Sequence, residues 1–304
     1  MKRKLVRHGN TSLTVSLPKK WTDTFHLQKG DEIELTPHED QIILQARAGK
    51  KPAKKGTLDI SQLGSLTRRA FDAMYKSGYD EVEVLYTNHR QLGDVEQAIA
   101  LEAMTFEIVK QEKNRCVVKD ISEAETKEFD ALLRRTVLLL KVMGEDLLVA
   151  LKERDFETIL LIRDLEKTNN KFTHFCRRAL AINGYPDRGK TVFLYTIVEQ
   201  LETCADEFKF LCDYLVQHQK LKISKEVLDL FQQVNATIAL FTELFLKHDI
   251  ENAKKLNDLR KKTITSAFSL FEATKDQQKI IIHYLINIES MVFGMLGPYL
   301  ATVL

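Results

Sequence analysis

The opening 46 residues constrain this chain most, because they read as short strands in a stretch too small to bury a core. Leu13, Val15 and Leu17 are spaced by two, as are Ile33 and Leu35, and Ile42, Ile43 and Leu44 form a short apolar run. Pro18 stands where it can open a short helix over residues 18–25, since its fixed φ and missing N–H are tolerated in a first turn. Gly30-Asp31 and His38-Glu39-Asp40 supply turns. Four or five strands in about 45 residues expose too much of their surface to be stable singly. Such a segment must dimerise or lean on a neighbour.

Charge is distributed unevenly along the 304 residues, although the net value is only +2. Residues 1–56 hold twelve Lys/Arg against six Asp/Glu, hence +6, and the remainder holds 33 against 37, hence −4. A basic head on a slightly acidic body fits a chain that meets a polyanion at one end. It fits equally a basic tail that aids solubility. Lys2, Arg3, Lys4 and Arg7 fall on one strand or arm, and Lys19 and Lys20 begin the following helix. A two-fold axis would double these six to twelve cations, a footprint whose affinity falls steeply with salt. Asn10 and Thr11 at the turn would reach base edges while the cations hold phosphates. Trp21, beside a helix start, is expected in packing rather than base stacking.

Behind this head, residues 46–57 (ARAGKKPAKKGT) have the Lys/Gly/Ala/Pro composition of a flexible linker. Residues 57–121 alternate helix (61–77), strand (81–87), helix (91–103) and two strands (105–111, 115–119), a small α/β domain in which no residue points to chemistry. From residue 123 to 304 only helical periodicity appears, with breaks near 154–155, 183–186, 223–224, 248–249 and 274–276. Six helices are expected, arranged as two three-helix repeats. Twelve glycines and five prolines suit such a helix-dominated chain. The fold class expected is multidomain α+β, in three domains at 1–48, 57–121 and 123–304.

Cys116, Cys176, Cys204 and Cys212 are scattered without a CxxC pair, as in a reducing compartment. The N-terminal MKRKLVRHGN has no apolar run behind its basic residues, so a cytoplasmic protein is expected. Catalysis is not expected. The eight histidines never pair at metal or triad spacing, and no P-loop, GxGxxG or GxSxG pattern occurs. Residues 183–190, NGYPDRGK, miss the P-loop spacing and read as a turn between helices.

Residues 3–46 resemble the AbrB/SpoVT family of swapped-hairpin domains. The resemblance rests on the Gly9–Ser12 turn, the VSLPKKW segment at 15–21 and LQKGDEIEL at 27–35. It implies an intertwined dimer, with an N-terminal swapped-hairpin β-barrel that presents arginines and lysines to double-stranded DNA. Residues 123–304 resemble the PhoU family, whose members regulate phosphate uptake. The match is clearest at Leu201-Glu202-Thr203-Cys204-Ala205-Asp206, which fits that family's E/D-x-x-x-D metal-binding motif. The counterpart in the second helix is degraded, with Glu166 followed by Asn170, and in the last helix Glu289 is followed by Phe293. The domain order also resembles archaeal phosphate-uptake regulators, with MTFEIV at 104–109 where those carry a similar strand.

Helix geometry gives the metal idea a test. At 100° per residue, Glu199, Glu202, Asp206 and Asp213 lie within about 60° of one another. Phe193, Ile197, Leu201, Cys204 and Phe208 form the opposite, apolar face. Such a ridge suits a divalent or trivalent cation, and a bound cation or Lys209 would relieve its like-charge repulsion. A solvated helix face is the plain alternative. In residues 280–304 Glu289 is the only charge, while His283, Asn287, Ser290, Gly294 and Pro298 share one narrow stripe. That pattern is a central bundle helix rather than a membrane span. Glu289 projects toward the apolar arc and must find a cation, a metal or a gap to solvent.

Two functions stay open. One is a DNA-binding transcriptional regulator of phosphate homeostasis whose PhoU-like half senses metal, phosphate status or a partner. The other is an adaptor that docks on a phosphate transporter or sensor kinase and uses the β-domain only as a dimer clamp.

Overall fold

A computed structural model of the chain describes residues 1–38, 40–46, 53–121 and 128–304. Two compact units divide it at Met1–Lys55 and Gly56–Leu304.

In the first unit, β1 (Val6–His8) pairs antiparallel with β2 (Ser12–Thr14), with Arg7 opposite Leu13. Gly9 takes φ 68° at this turn, a left-handed conformation that glycine adopts without a Cβ clash. Pro18 precedes α1 (Lys19–Thr24), and its carbonyl accepts from the Trp21 and Thr22 amides at 2.9 and 3.1 Å. A second antiparallel hairpin joins β3 (Ile33–His38) to β4 (Gln41–Ala46). The two hairpins are separate two-stranded sheets, and no barrel closes among the described residues of this single chain. Of residues 1–37, 40–44 and 46, none is buried. Trp21 is half-buried against Phe25, their rings 5.4 Å apart.

The second unit begins with a four-stranded sheet in the order β5-β6-β8-β7. Its strands are β5 (Lys55–Asp59), β6 (Glu81–Leu85), β7 (Phe106–Gln111) and β8 (Arg115–Asp120), with β8 antiparallel to both neighbours described for it. Residues 47–52 of the expected linker lie outside the described residues. Its last part is strand, because Lys55, Thr57 and Asp59 face out while Gly56 and Leu58 are half-buried. A Cβ at Gly56 would fall 2.5 Å from the Tyr79 ring, so the close approach there needs glycine. Two helices, α2 (Thr67–Lys76) and α3 (His89–Glu102), complete this part, and Asn88 caps α3 by accepting from the Arg90 and Gln91 amides. Phe71, Tyr75, Val82, Val84, Phe106 and Val118 make its core.

Seven helices follow: α4 (Phe129–Glu153), α5 (Phe156–Asn183), α6 (Thr191–Gln217), α7 (Lys225–Leu246), α8 (Ile250–Ala273), α9 (Gln278–Gly294) and α10 (Leu296–Val303). The expected breaks appear with recognisable stops. Arg154 is left-handed at φ 58°, and Asp155, Ser224 and Asp249 cap the helices after them. Six helices were expected and a seventh arises because the last apolar stretch divides at Met295. Gln278–Val303 is long and apolar enough to cross a membrane by length and composition. In this fold Ile281, Ile282, Leu285, Ile288 and Val292 are instead packed into the bundle core with Leu147, Leu201 and Phe208. All four cysteines are buried and free.

The sheet part and the bundle have separate cores, yet they form one compact unit. Helix α5 makes the join by packing on α2 and α3.

Candidate nucleic-acid interface and buried ion network

The basic residues singled out in the first unit all sit on its surface. Lys2, Arg3 and Lys4 lead into β1, and Arg7 lies within it, donating from Nη2 to the Asn10 carbonyl at 3.1 Å. Asn10 and Thr11 are exposed at the β1–β2 turn, and Lys19 and Lys20 are exposed at the start of α1. The fold thus gathers Lys2, Arg3, Lys4, Arg7, Asn10 and Thr11 onto one hairpin and its leading arm. On the same unit, large apolar side chains face solvent: Leu5 (67 % exposed), Val6 (61 %), Leu13 (65 %), Leu35 (58 %) and Ile42 (68 %).

The acidic ridge of α6 packs against α5, whose cations meet it. Arg177, buried on α5, pairs with Glu199 at 3.1 Å and with Glu202. Burial pulls the Arg177 guanidinium below its usual range, and the facing carboxylates oppose that. Lys209 pairs with Asp206 and, at 2.9 Å, with Glu166, whose Oε1 also accepts from Asn170 at 2.7 Å. Burial alone would lower the Lys209 ammonium, but Asp206 and Glu166 raise it. Asp213 pairs with Arg163 at 2.5 Å. Glu199, Glu202, Asp206 and Glu166 therefore take their counter-ions from the chain.

Glu289 lies far from that ridge in character. It is fully buried, and its Oε1 accepts from the Thr237 hydroxyl at 3.2 Å. Burial pushes its carboxyl up to about 7, with Thr237 and the Arg260 charge pulling the other way. A carboxyl raised in the folded state gives stability at low pH that is lost as pH rises from the ordinary value toward the folded one. Glu289→Gln is therefore expected to be neutral near pH 4 and to gain roughly 3 kcal/mol on the wild type by pH 8, where the wild type bears the full cost of a buried ionised carboxylate. Urea denaturation across pH 4–8 checks this; a constant difference between the two proteins contradicts it.

One cluster escaped the sequence reading. Asp72 on α2, Glu102 at the end of α3 and His174 on α5 bring one ligand atom each within 4.8 Å of one another. All three residues are buried. His174 Nδ1 lies 3.0 Å from Asp72 Oδ1 and its Nε2 lies 3.4 Å from Glu202 Oε1. Burial would raise Asp72, yet His174 and Lys76 hold its carboxyl below the usual range; burial and the nearby Asp72 charge raise Glu102. Motif spacing could not find this group, since its members are 30 and 72 positions apart along the chain. A fainter signal was present: Asp72 sits beside Phe71 and three residues before Tyr75, on the buried stripe of α2. A carboxylate there needs a partner from another element.

Comparison with known proteins bears on both ends of the chain. The family described as antidote-toxin recognition MazE, bacterial antitoxin, matches residues 6–56. No curated protein matches the chain. Among solved structures, the phosphate transport system regulatory protein PhoU from Streptococcus pneumoniae is similar over 57% of this chain and 92% of that chain, at 15% identity and a TM-score of 0.46.

Proposed function

We propose that the chain is a dimeric, DNA-binding transcriptional regulator of phosphate uptake, working in the cytoplasm without membrane insertion. One observation carries this reading. In the first unit none of residues 1–37, 40–44 and 46 is buried, and Leu5, Val6, Leu13, Leu35 and Ile42 lie open beside a row of exposed cations. Full burial of each such side chain contributes about 1.5–3 kcal/mol, so a second copy of the same segment is the natural cover. The two hairpins of each chain then intertwine into the barrel that neither forms singly. Lys2, Arg3, Lys4, Arg7, Lys19 and Lys20 from both protomers hold phosphates, while Asn10 and Thr11 reach base edges. The domains at 1–48, 57–121 and 123–304 divide the work into DNA contact, a connecting α/β module and a sensing or docking bundle. The resemblance of the helices to PhoU at Glu202–Asp206 points the regulation at phosphate. The ridge itself acts here as an ion-paired seam between α5 and α6, since a metal on it would have to displace Arg177 and Lys209.

The MazE family is described by recognition of a toxin, which favours a second reading in which the β unit only clamps proteins, and the bundle docks on a transporter or sensor kinase. Changing Arg3, Arg7, Lys19 and Lys20 together to Ala separates the two. Removing eight contacts per dimer should flatten the log–log salt slope of duplex binding by about 7, at roughly 0.9 per contact. An unchanged slope in an anisotropy titration would leave the clamp reading standing.

A further inference from the structure

The cluster of Asp72, Glu102 and His174 is built differently from the surrounding ion pairs. Its residues are 8 %, 6 % and 3 % exposed, so bulk water does not serve them. Glu102 spends Oε1 on Arg68 and leaves Oε2 buried with no hydrogen-bond partner. Asp72 gives Oδ2 to Lys76 at 2.6 Å, and its Oδ1 faces His174 Nδ1 at 3.0 Å. Glu102 Oε2 thus stays a buried polar atom without the partner such atoms need, beside a buried carboxylate–imidazole pair.

From this geometry we propose that Asp72, Glu102 and His174 bind one divalent transition-metal ion, of the zinc or manganese class, between the α/β part and the helical bundle. One imidazole and two carboxylates are a nitrogen–oxygen donor set suited to borderline ions. Such ions hold ligand atoms at about 2.0–2.2 Å, hence roughly 3.4 Å apart in a tetrahedral site. Ligand atoms that lie within 4.8 Å of one another reach that with about an ångström of side-chain movement. The second ring nitrogen supports the assignment. A metal-bound histidine commonly gives its other N–H to a carboxylate, and His174 Nε2 has Glu202 Oε1 at 3.4 Å. Glu202 then orients His174 rather than ligating the ion. Two ligands come from the α/β part and one from α5, so the ion ties the two cores together. The inference stands apart from DNA binding and survives its failure.

Isothermal titration of the chelator-stripped full chain with Zn2+, and separately with Mn2+, tests it. The wild type is expected to take up one equivalent of at least one of these ions and to melt at a higher temperature when loaded. Glu102→Gln, which keeps shape, and His174→Ala should each lose more than 100-fold in affinity, and Glu202→Gln about 10–100-fold. Asp206→Asn on the neighbouring ridge should bind as the wild type does. Circular dichroism identifies any variant that fails to fold, and Glu102→Gln then carries the comparison. Absence of binding to the folded wild type, unaltered binding by Glu102→Gln, or loss of the ion on Asp206→Asn would each overturn the assignment.

Discussion

Arg178→Ala is expected to lower the unfolding free energy by about 3–5 kcal/mol, the range for breaking a buried, hydrogen-bonded ion pair. Arg178 leaves α5 and enters the α/β part, where it is 4 % exposed. Its Nη1 donates to the Tyr75 and Tyr79 carbonyls at 2.8 and 2.7 Å, and its Nη2 donates to Asp80 and Asp120 at 3.2 and 2.9 Å. The guanidinium also lies 5.0 Å from the ring centres of both Tyr75 and Phe106. One side chain therefore joins the end of α2, the approach to β6 and the end of β8 to the bundle. Lysine keeps the charge but has neither the planar fork nor the stacking face, so Arg178→Lys should recover only a minor part. Urea denaturation measures the loss. A broadened or two-step transition would mean that the two cores have come apart and unfold separately. An unfolding free energy within about 0.5 kcal/mol of the wild type would show that the contact contributes little.

Leu13→Glu together with Leu35→Glu should separate the protomers at the first unit and take most DNA affinity with it. Both side chains lie open in the single chain, at 65 % and 58 % exposure. In a dimer they become core, and a charge there is paid for by desolvation against nothing. A separated protomer offers six cations instead of twelve. Its salt slope should drop from about 11 to about 5, which at ordinary ionic strength is a loss of several orders of magnitude in affinity. The same anisotropy titration reads both quantities. Wild-type affinity in the double variant would mean that these faces are not the pairing surface.

Much of this architecture was legible in the residues, for reasons that differ along the chain. The helix breaks at Asp155, Ser224 and Asp249 were readable because caps and stops are local chemistry. Strand β5 was not, because Lys55 and Gly56 carry a linker's composition and its period of two shows only beside Tyr79. The division at Met295 was hidden inside an unbroken apolar run. The ridge on α6 was visible as a stripe of acids with Lys209 three residues from Asp206 on the same helix, but its counter-ion Arg177 depends on how α5 packs. Beyond the lone signal of Asp72 on the buried stripe of α2, the Asp72, Glu102 and His174 cluster was hidden for the same reason as the Arg178 join: each is assembled from elements distant in the chain.

Sedimentation of the full chain with a labelled duplex is the most direct test of the central claim, that the first unit pairs with its twin to grip DNA. At 50 mM salt the label should move with two chains of 35.0 kDa each, and between 50 and 200 mM it should be released as counterions compete. A duplex that sediments free at 50 mM salt, or that carries a single chain, would contradict the account.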